Sequence, residues 1–61
     1  MQEVGENVKA TRQGDALVIV IDTTQEIGLS STGKMMGLGS TGGFQAFPGG
    51  LKGNIYIGRK R

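Results

Sequence analysis

The chain contains no cysteine and no histidine, and these two absences exclude the usual devices that stabilise a very small domain. Disulfides require cysteine, and structural zinc sites are built from cysteine and histidine. The five acidic residues lack the spacing of a calcium-binding loop. With 61 residues, the chain buries only about 60% of the surface that its unfolded form would expose. We therefore expect one domain over residues 1–61, without metal or cofactor, that gains stability by self-association.

Long apolar segments are also lacking. The longest apolar run, Ala16–Ile21, is far shorter than the roughly 20 residues that a membrane-spanning helix needs. The first residues, Met1-Gln2-Glu3, are polar and acidic, unlike the basic start of a signal peptide. These features predict a cytoplasmic protein that has no contact with a membrane.

Acidic residues are absent after Glu26, and this makes the second half of the chain wholly basic. The cations that follow Glu26 are Lys34, Lys52, Arg59, Lys60 and Arg61. Such an asymmetry between the two halves favours a polyanionic partner. The alternative interpretation is that Arg59–Arg61 is a solvated tail without a binding role.

Twelve glycines interrupt any long helix, so short strands joined by turns are the natural structure. The aliphatic run Ala16–Ile21 predicts a strand, and the alternating segment Val8–Arg12 predicts its hairpin partner across the turn Gln13-Gly14-Asp15. Further strands are predicted for Lys34–Ser40, Phe44–Phe47 and Asn54–Arg59. The first two of these are expected to form a second hairpin through Thr41-Gly42-Gly43, and Pro48-Gly49 suits a type II turn.

At most one helical turn is expected, near residues 23–29. Thr23 and Glu26 have the spacing of a helix capping box, and a turn there would carry Ile27 and Leu29 into the core. The fold class is therefore all-β, with about five short strands. Because Leu17–Ile21 is apolar on both faces, both faces of that strand must be covered. This predicts either a small barrel-like fold or a single sheet completed by a second copy, and hence a homodimer or higher oligomer.

Two glycine motifs resemble nucleotide-binding sequences only in their spacing. Gly28–Lys34 fits the G-x-x-x-x-G-K pattern of a phosphate-binding loop, but Met35 stands where Ser or Thr would hold magnesium. Gly37–Gly42 fits G-x-G-x-x-G, but the acid expected about 20 residues later is missing. We interpret both as turn and packing glycines. The remaining hypothesis for Gly28–Lys34 is a backbone nest that binds one anion.

Catalytic groups are scarce. Without histidine or cysteine, the available nucleophile and base are Ser30 or Ser31 with Lys34, in a polar segment where such side chains are ordinarily solvated. We therefore expect a binding protein and no enzyme.

The leading functional hypothesis is nucleic-acid binding, to single or double strands, through the basic second half. Single strands bind to cationic grooves in which bases stack on aromatic rings. Tyr56 alternates with Ile55 and Ile57, so it is expected to face outward, whereas Phe44 and Phe47 are expected in the core. The predicted binding residues are Lys34, Lys52, Tyr56, Arg59, Lys60 and Arg61.

The competing hypothesis is a structural or protein-interaction module. Its acidic first half would meet the basic second half of a neighbouring copy, or its cations would bind an acidic protein partner.

Overall fold

The computed structural model describes residues 1–61 and consists of eight short strands with no helix. The prediction of an all-β fold is confirmed, although the sheets are open and no barrel closes. No helix is present that could cross a membrane. The strands are β1 (Gln2–Gly5), β2 (Val8–Gln13), β3 (Ala16–Val20), β4 (Gly28–Leu29), β5 (Met35–Ser40), β6 (Gln45–Phe47), β7 (Leu51–Gly53) and β8 (Tyr56–Lys60).

The first sheet has the antiparallel order β1-β2-β3 and contains the predicted N-terminal hairpin. Gln13 pairs with Ala16, so Gly14 and Asp15 form a two-residue turn in which Gly14 has a φ of 58°. Strand β1 was not predicted, because its start is polar and its pairing depends on a turn at Asn7. Asn7 has a φ of 56°, a conformation that asparagine tolerates better than most residues.

The predicted second hairpin is wrong. Strand β5 pairs with β4 and β8, and strand β6 pairs with β7. The turn that follows Phe47 accounts for this difference, because Gly49 and Gly50 both have positive φ, 86° and 75°, and fold Leu51 back onto Phe47. Strand β5 is thereby left free to pair with the C-terminal segment, a long-range contact that local turn residues do not indicate.

No helical turn forms near residues 23–29, where at most one was expected. The Asp22 carboxylate accepts hydrogen bonds from the Thr24 hydroxyl (2.6 Å) and the Thr24 N–H (2.9 Å). These bonds close a local turn, which is the conformation that competes with a helix at Asp, Ser and Thr. The chain then enters β4, where Leu29 is 53% exposed instead of reaching the core.

The first and second sheets are joined at the turn between β1 and β2. Glu6 and Ser40 exchange two backbone hydrogen bonds, of 2.8 and 3.0 Å. The Asn7 side-chain amide donates to Asp22 O (2.8 Å) and to Leu38 O (2.6 Å). One asparagine therefore connects the end of β3 to the middle of β5.

The hydrophobic core is small. Val4, Val8, Ala10 and Phe47 form its buried cluster, and only eight of the 61 residues are buried in the whole molecule. The core position of Phe47 is confirmed. Phe44 is 73% exposed, so its predicted core position is wrong, because it lies in the loop between β5 and β6 instead of in a strand.

Strand β3 is less covered than its composition predicts. Leu17 is 36% and Val20 is 41% exposed. The predicted cover on both faces of this strand is therefore not supplied by the single chain. The molecule is correspondingly elongated, with extents of 37 × 21 × 15 Å.

Candidate nucleic-acid interface

The second sheet, of order β4-β5-β8, brings together four of the predicted binding residues at one of its ends. Met35 pairs with Lys60, and the Arg61 N–H donates to Lys34 O at 3.4 Å. Lys34 is thereby placed beside the three C-terminal cations, although it precedes them by more than twenty positions in the sequence. None of the three strands contains an acidic residue, so no carboxylate in the sheet itself offsets this positive charge.

Arg59 and Lys60 belong to strand β8, and Arg61 follows it directly. Arg59 donates from Nη2 to Thr23 O (2.7 Å), and Arg61 donates from Nη1 to Gly33 O (2.9 Å). Both arginines therefore hold the ends of neighbouring loops while remaining exposed. A cation whose side chain is already held loses less conformational entropy when it binds a ligand.

The Tyr56 ring packs against two glycines, Gly37 and Gly58. A Cβ added to Gly37 would lie 2.9 Å from the Tyr56 hydroxyl, and one added to Gly58 would lie 3.2 Å from Tyr56 Cε1. Gly37 and Gly58 are directly paired across β5 and β8, so the ring extends over this pair along the sheet. The tyrosine remains 46% exposed. The glycines thus provide a flat floor that supports the ring while part of it faces solvent.

The two faces of this sheet carry different groups. Side chains alternate along a strand, so Lys60 shares the face of Tyr56, while Arg59 and Arg61 project to the opposite face. Met35, which pairs with Lys60, borders the ring on the same face, since its Cε would lie 2.5 Å from a Cβ on Gly58. We refer to Met35, Tyr56 and Lys60 with their two-glycine floor as the tyrosine platform.

Lys52 is not part of this arrangement. It lies on β7 and pairs with Ala46 in the separate β6–β7 hairpin. Strand pairing therefore unites Lys34, Arg59, Lys60 and Arg61 with Tyr56, and leaves Lys52 on a different sheet.

The Gly28–Lys34 segment does not have the form of a phosphate-binding loop. It leads into strand β5 and not into a helix. The amides of Ser30, Gly33 and Met35 already donate within the hairpin, to Met35 O (2.9 Å), Ser30 O (2.8 Å) and Ser30 Oγ (3.2 Å). These three amides are therefore engaged within the segment, which connects β4 and β5, and the anion nest stays a hypothesis for its other amides.

The tyrosine platform contains residues that sequence reasoning missed. Met35, Gly37 and Gly58 were assigned only to strands, and alternation of glycine with apolar residues indicated the close approach of another backbone. Such an approach does occur at Gly39, where an added Cβ would lie 3.0 Å from Asn7 O. At Gly37 a backbone atom also approaches, Gly28 O at 3.0 Å from an added Cβ, and the Tyr56 hydroxyl lies at 2.9 Å. The tyrosine contact is revealed only by the β5–β8 register.

Comparison with protein families, curated proteins and solved structures gives no match to this chain. The functional interpretation therefore depends on the geometry of the interface itself.

Proposed function

We propose that the protein binds single-stranded nucleic acid on the β5–β8 sheet, with a base stacked on Tyr56 and phosphates held by Lys60 and the neighbouring cations. The observation that carries this proposal is the β5–β8 register, which sets Lys60 on the same face as a partly exposed ring that lies over two glycines, with three further cations at the same end of the sheet. A cationic surface that carries an aromatic ring is the common form of sequence-tolerant single-strand sites.

The exposed ring favours single strands over a duplex. Bases in a duplex are stacked on each other, and their faces are not available to a protein ring, whereas unpaired bases can stack on tyrosine. The cations alone would bind either form through the phosphates. Tyr56 is therefore the residue that should distinguish the two nucleic acids.

The decisive experiment measures the affinity of labelled oligonucleotides by fluorescence anisotropy over a series of salt concentrations. Single-stranded binding should weaken with salt, with a slope of about −0.7 per phosphate contacted. Replacing Arg59, Lys60 and Arg61 by alanine should reduce the magnitude of that slope by about 2. Lys52→Ala is the control for these substitutions, because it removes an exposed strand lysine from a different sheet.

The contribution of the ring is tested by Tyr56→Leu. We expect about a 5- to 150-fold loss of single-strand affinity, since stacking on an aromatic ring is worth roughly 1–3 kcal/mol per base. Tyr56→Phe keeps the ring and should bind like the parent. Phe44→Leu removes an aromatic ring that is 73% exposed but lies outside the platform, and it should leave affinity within about twofold.

Nuclear magnetic resonance provides a direct readout, because Tyr56 is the single tyrosine of the chain. Its ring protons should shift upfield on titration with single strands, as expected for stacking, with smaller changes for the Phe44 ring. Absence of binding at low salt would refute the proposal. Binding that needs the cations but not the Tyr56 ring, and that an acidic polypeptide competes equally, would instead favour an acidic protein partner.

A further inference from the structure

Strand β3 presents an unprotected edge to solvent. It is the last strand of the first sheet and pairs only with β2. None of the backbone hydrogen bonds outside the sheets involves a residue of β3. The strand is aliphatic throughout, and its pairing with β2 runs over five residues without a bulge.

The direction of the backbone groups along this edge follows from the turn. Gln13 and Ala16 flank a two-residue turn, and such a flanking pair exchanges both of its hydrogen bonds. Hydrogen-bonded pairs then recur at every second residue, so Ala16, Val18 and Val20 bond to β2. The N–H and C=O groups of Leu17 and Ile19 therefore point away from β2, along the open edge.

Every other sheet edge carries a feature that discourages pairing with another chain. The edge of β1 has a bulge and the charged Glu3, and Gln2 Nε2 donates across it to Ala46 O at 3.3 Å. The edge of β8 carries Arg59 and Lys60, β4 has only two residues, and the β6–β7 hairpin has three residues in each strand. Bulges, charges and short strands are the means by which proteins prevent edge pairing. Strand β3 has none of them.

We propose that β3 is a self-association edge, on which a second copy of this chain adds its own β3 antiparallel to form a closed two-fold dimer. The register that satisfies the outward groups is centred on Val18. Leu17 then pairs with the partner's Ile19, and reciprocally, with two backbone hydrogen bonds in each pair. Val18 lies opposite its own counterpart on the two-fold axis, and Ala16 lies opposite the partner's Val20, so every facing pair is aliphatic.

The outer face of the first sheet supports a second copy as the occupant. On β2 this face carries Lys9, Thr11 and Gln13, whereas on β3 it carries Ala16, Val18 and Val20. The face therefore becomes apolar only at the edge where the two copies would meet. The dimer would place the two apolar rows side by side and leave the polar rows outside.

The surface area of the chain supports the same inference. It exposes 4175 Å², whereas a folded monomer of its mass exposes about 3,800 Å². Covering that surplus on each of two copies would bury roughly 800 Å² in total, which is below the roughly 1,200 Å² at which stable specific interfaces begin and within the range of weak, transient ones. We therefore expect a dimer that dissociates on dilution, and whose backbone hydrogen bonds account for its specificity.

The test uses light scattering or sedimentation equilibrium over a range of protein concentrations, without nucleic acid. The parent protein should approach twice its mass of 6.4 kDa at high concentration. Val18→Lys places two like charges on the two-fold axis and should raise the dimer dissociation constant by at least about tenfold; Val18→Glu should do the same. An equimolar mixture of the two variants should recover dimer, because unlike charges then meet on the axis.

Recovery in the mixture separates a lost interface from a lost fold, since an unfolded variant could not be rescued by another. Gln13→Lys is the matched control, because it adds the same charge to the same face on the neighbouring strand, away from the axis. It should dimerise like the parent. A monomeric parent at millimolar concentration, or a dimer that Val18→Lys does not weaken, would overturn the proposal.

Amide hydrogen exchange on the parent protein gives a second readout that needs no substitution. The N–H groups of Leu17 and Ile19 should exchange rapidly in dilute protein and slowly in concentrated protein. The Val18 and Val20 amides, which bond to β2, should be protected at both concentrations. Protection of Leu17 and Ile19 that does not depend on concentration would contradict edge pairing. The inference does not depend on the proposed nucleic-acid function, because it concerns the other sheet.

Discussion

The contact between Gly5 and β5 predicts that Gly5→Ala will be strongly destabilising. A Cβ on Gly5 would overlap Ser40 O and would lie 2.6 Å from Thr41 Cα and 2.9 Å from the Ser40 carbonyl carbon. All three atoms belong to the backbone, so no side chain can move away to make room. The backbone at the end of β1 must therefore move away from the backbone at Ser40. This movement weakens the two hydrogen bonds between Glu6 and Ser40.

The expected cost combines two effects. Overpacking costs roughly 1–3 kcal/mol, and weakening the two hydrogen bonds adds about 0.5–1.5 kcal/mol for each one lost. The lower entropy of the unfolded alanine chain offsets about 0.4–1 kcal/mol of this. If both hydrogen bonds are lost, the net loss is about 1–6 kcal/mol, against a total stability of roughly 3–9 kcal/mol for a domain of this length. At the middle of both ranges the variant loses about half of its stability.

Urea denaturation followed by far-ultraviolet circular dichroism measures this loss, at one fixed protein concentration because association adds to apparent stability. Gly14→Asn is the matched control. Gly14 has a φ of 58° and no atom within 4 Å of an added Cβ, so asparagine should cost only a few tenths of a kcal/mol. A Gly5→Ala midpoint equal to that of the parent would refute the reasoning. An equal loss in both variants would show that the Ser40 contact is not the cause.

Three further predictions concern the core and the turns. Phe47→Ala removes the one aromatic ring in the core cluster and should cost about 3–5 kcal/mol in urea denaturation, leaving much of the chain unfolded. Asn7→Gly keeps the positive φ but loses the bonds to Asp22 O and Leu38 O, so it should cost about 1–3 kcal/mol, and Asn7→Ala should cost more because it adds backbone strain. The hydrogen bonds from Thr24 lower the pKa of Asp22 below its ordinary 3.8. The stability that the ionised Asp22 carboxylate contributes is therefore complete above pH 3.8, and it is lost as the pH falls through the lowered pKa of the folded protein. A carboxyl resonance titration should therefore show a midpoint below 3.8 that rises toward that value in Thr24→Ala.

The two proposals can be tested separately because they use different sheets and different forces. Binding at the tyrosine platform depends on cations and should weaken steeply with salt. Pairing of β3 depends on aliphatic side chains and backbone hydrogen bonds, so salt should affect it little. Assembly by attraction between the acidic and basic halves would instead weaken with salt, and sedimentation at two salt concentrations distinguishes these modes of association.

Local composition determined the fold class and one hairpin. Twelve glycines excluded long helices. The two-residue turn at Gly14-Asp15 makes Val8–Gln13 and Ala16–Val20 neighbours in the sheet, because so short a turn places the second strand directly beside the first. The aliphatic character of β3 predicted that both of its faces need cover, and the single chain leaves Leu17 and Val20 partly exposed; the second copy that would cover them is a prediction. The prediction that Phe44 lies in the core was wrong, because an aromatic residue indicates burial only when its strand directs the side chain toward the core, and Phe44 lies in a loop.

Only the tertiary structure decided which distant strands pair. Strand β5 could have joined its neighbour β6, as local turn residues predicted, or the C-terminal strand, and the registers of such long-range pairs depend on the packing of both faces. Its pairing with β8 is what sets Lys34 beside Lys60 and extends Tyr56 over Gly37 and Gly58. The cations and the ring were visible in the sequence as residue types. Their juxtaposition on one sheet follows from non-local pairing, which local periodicity does not specify.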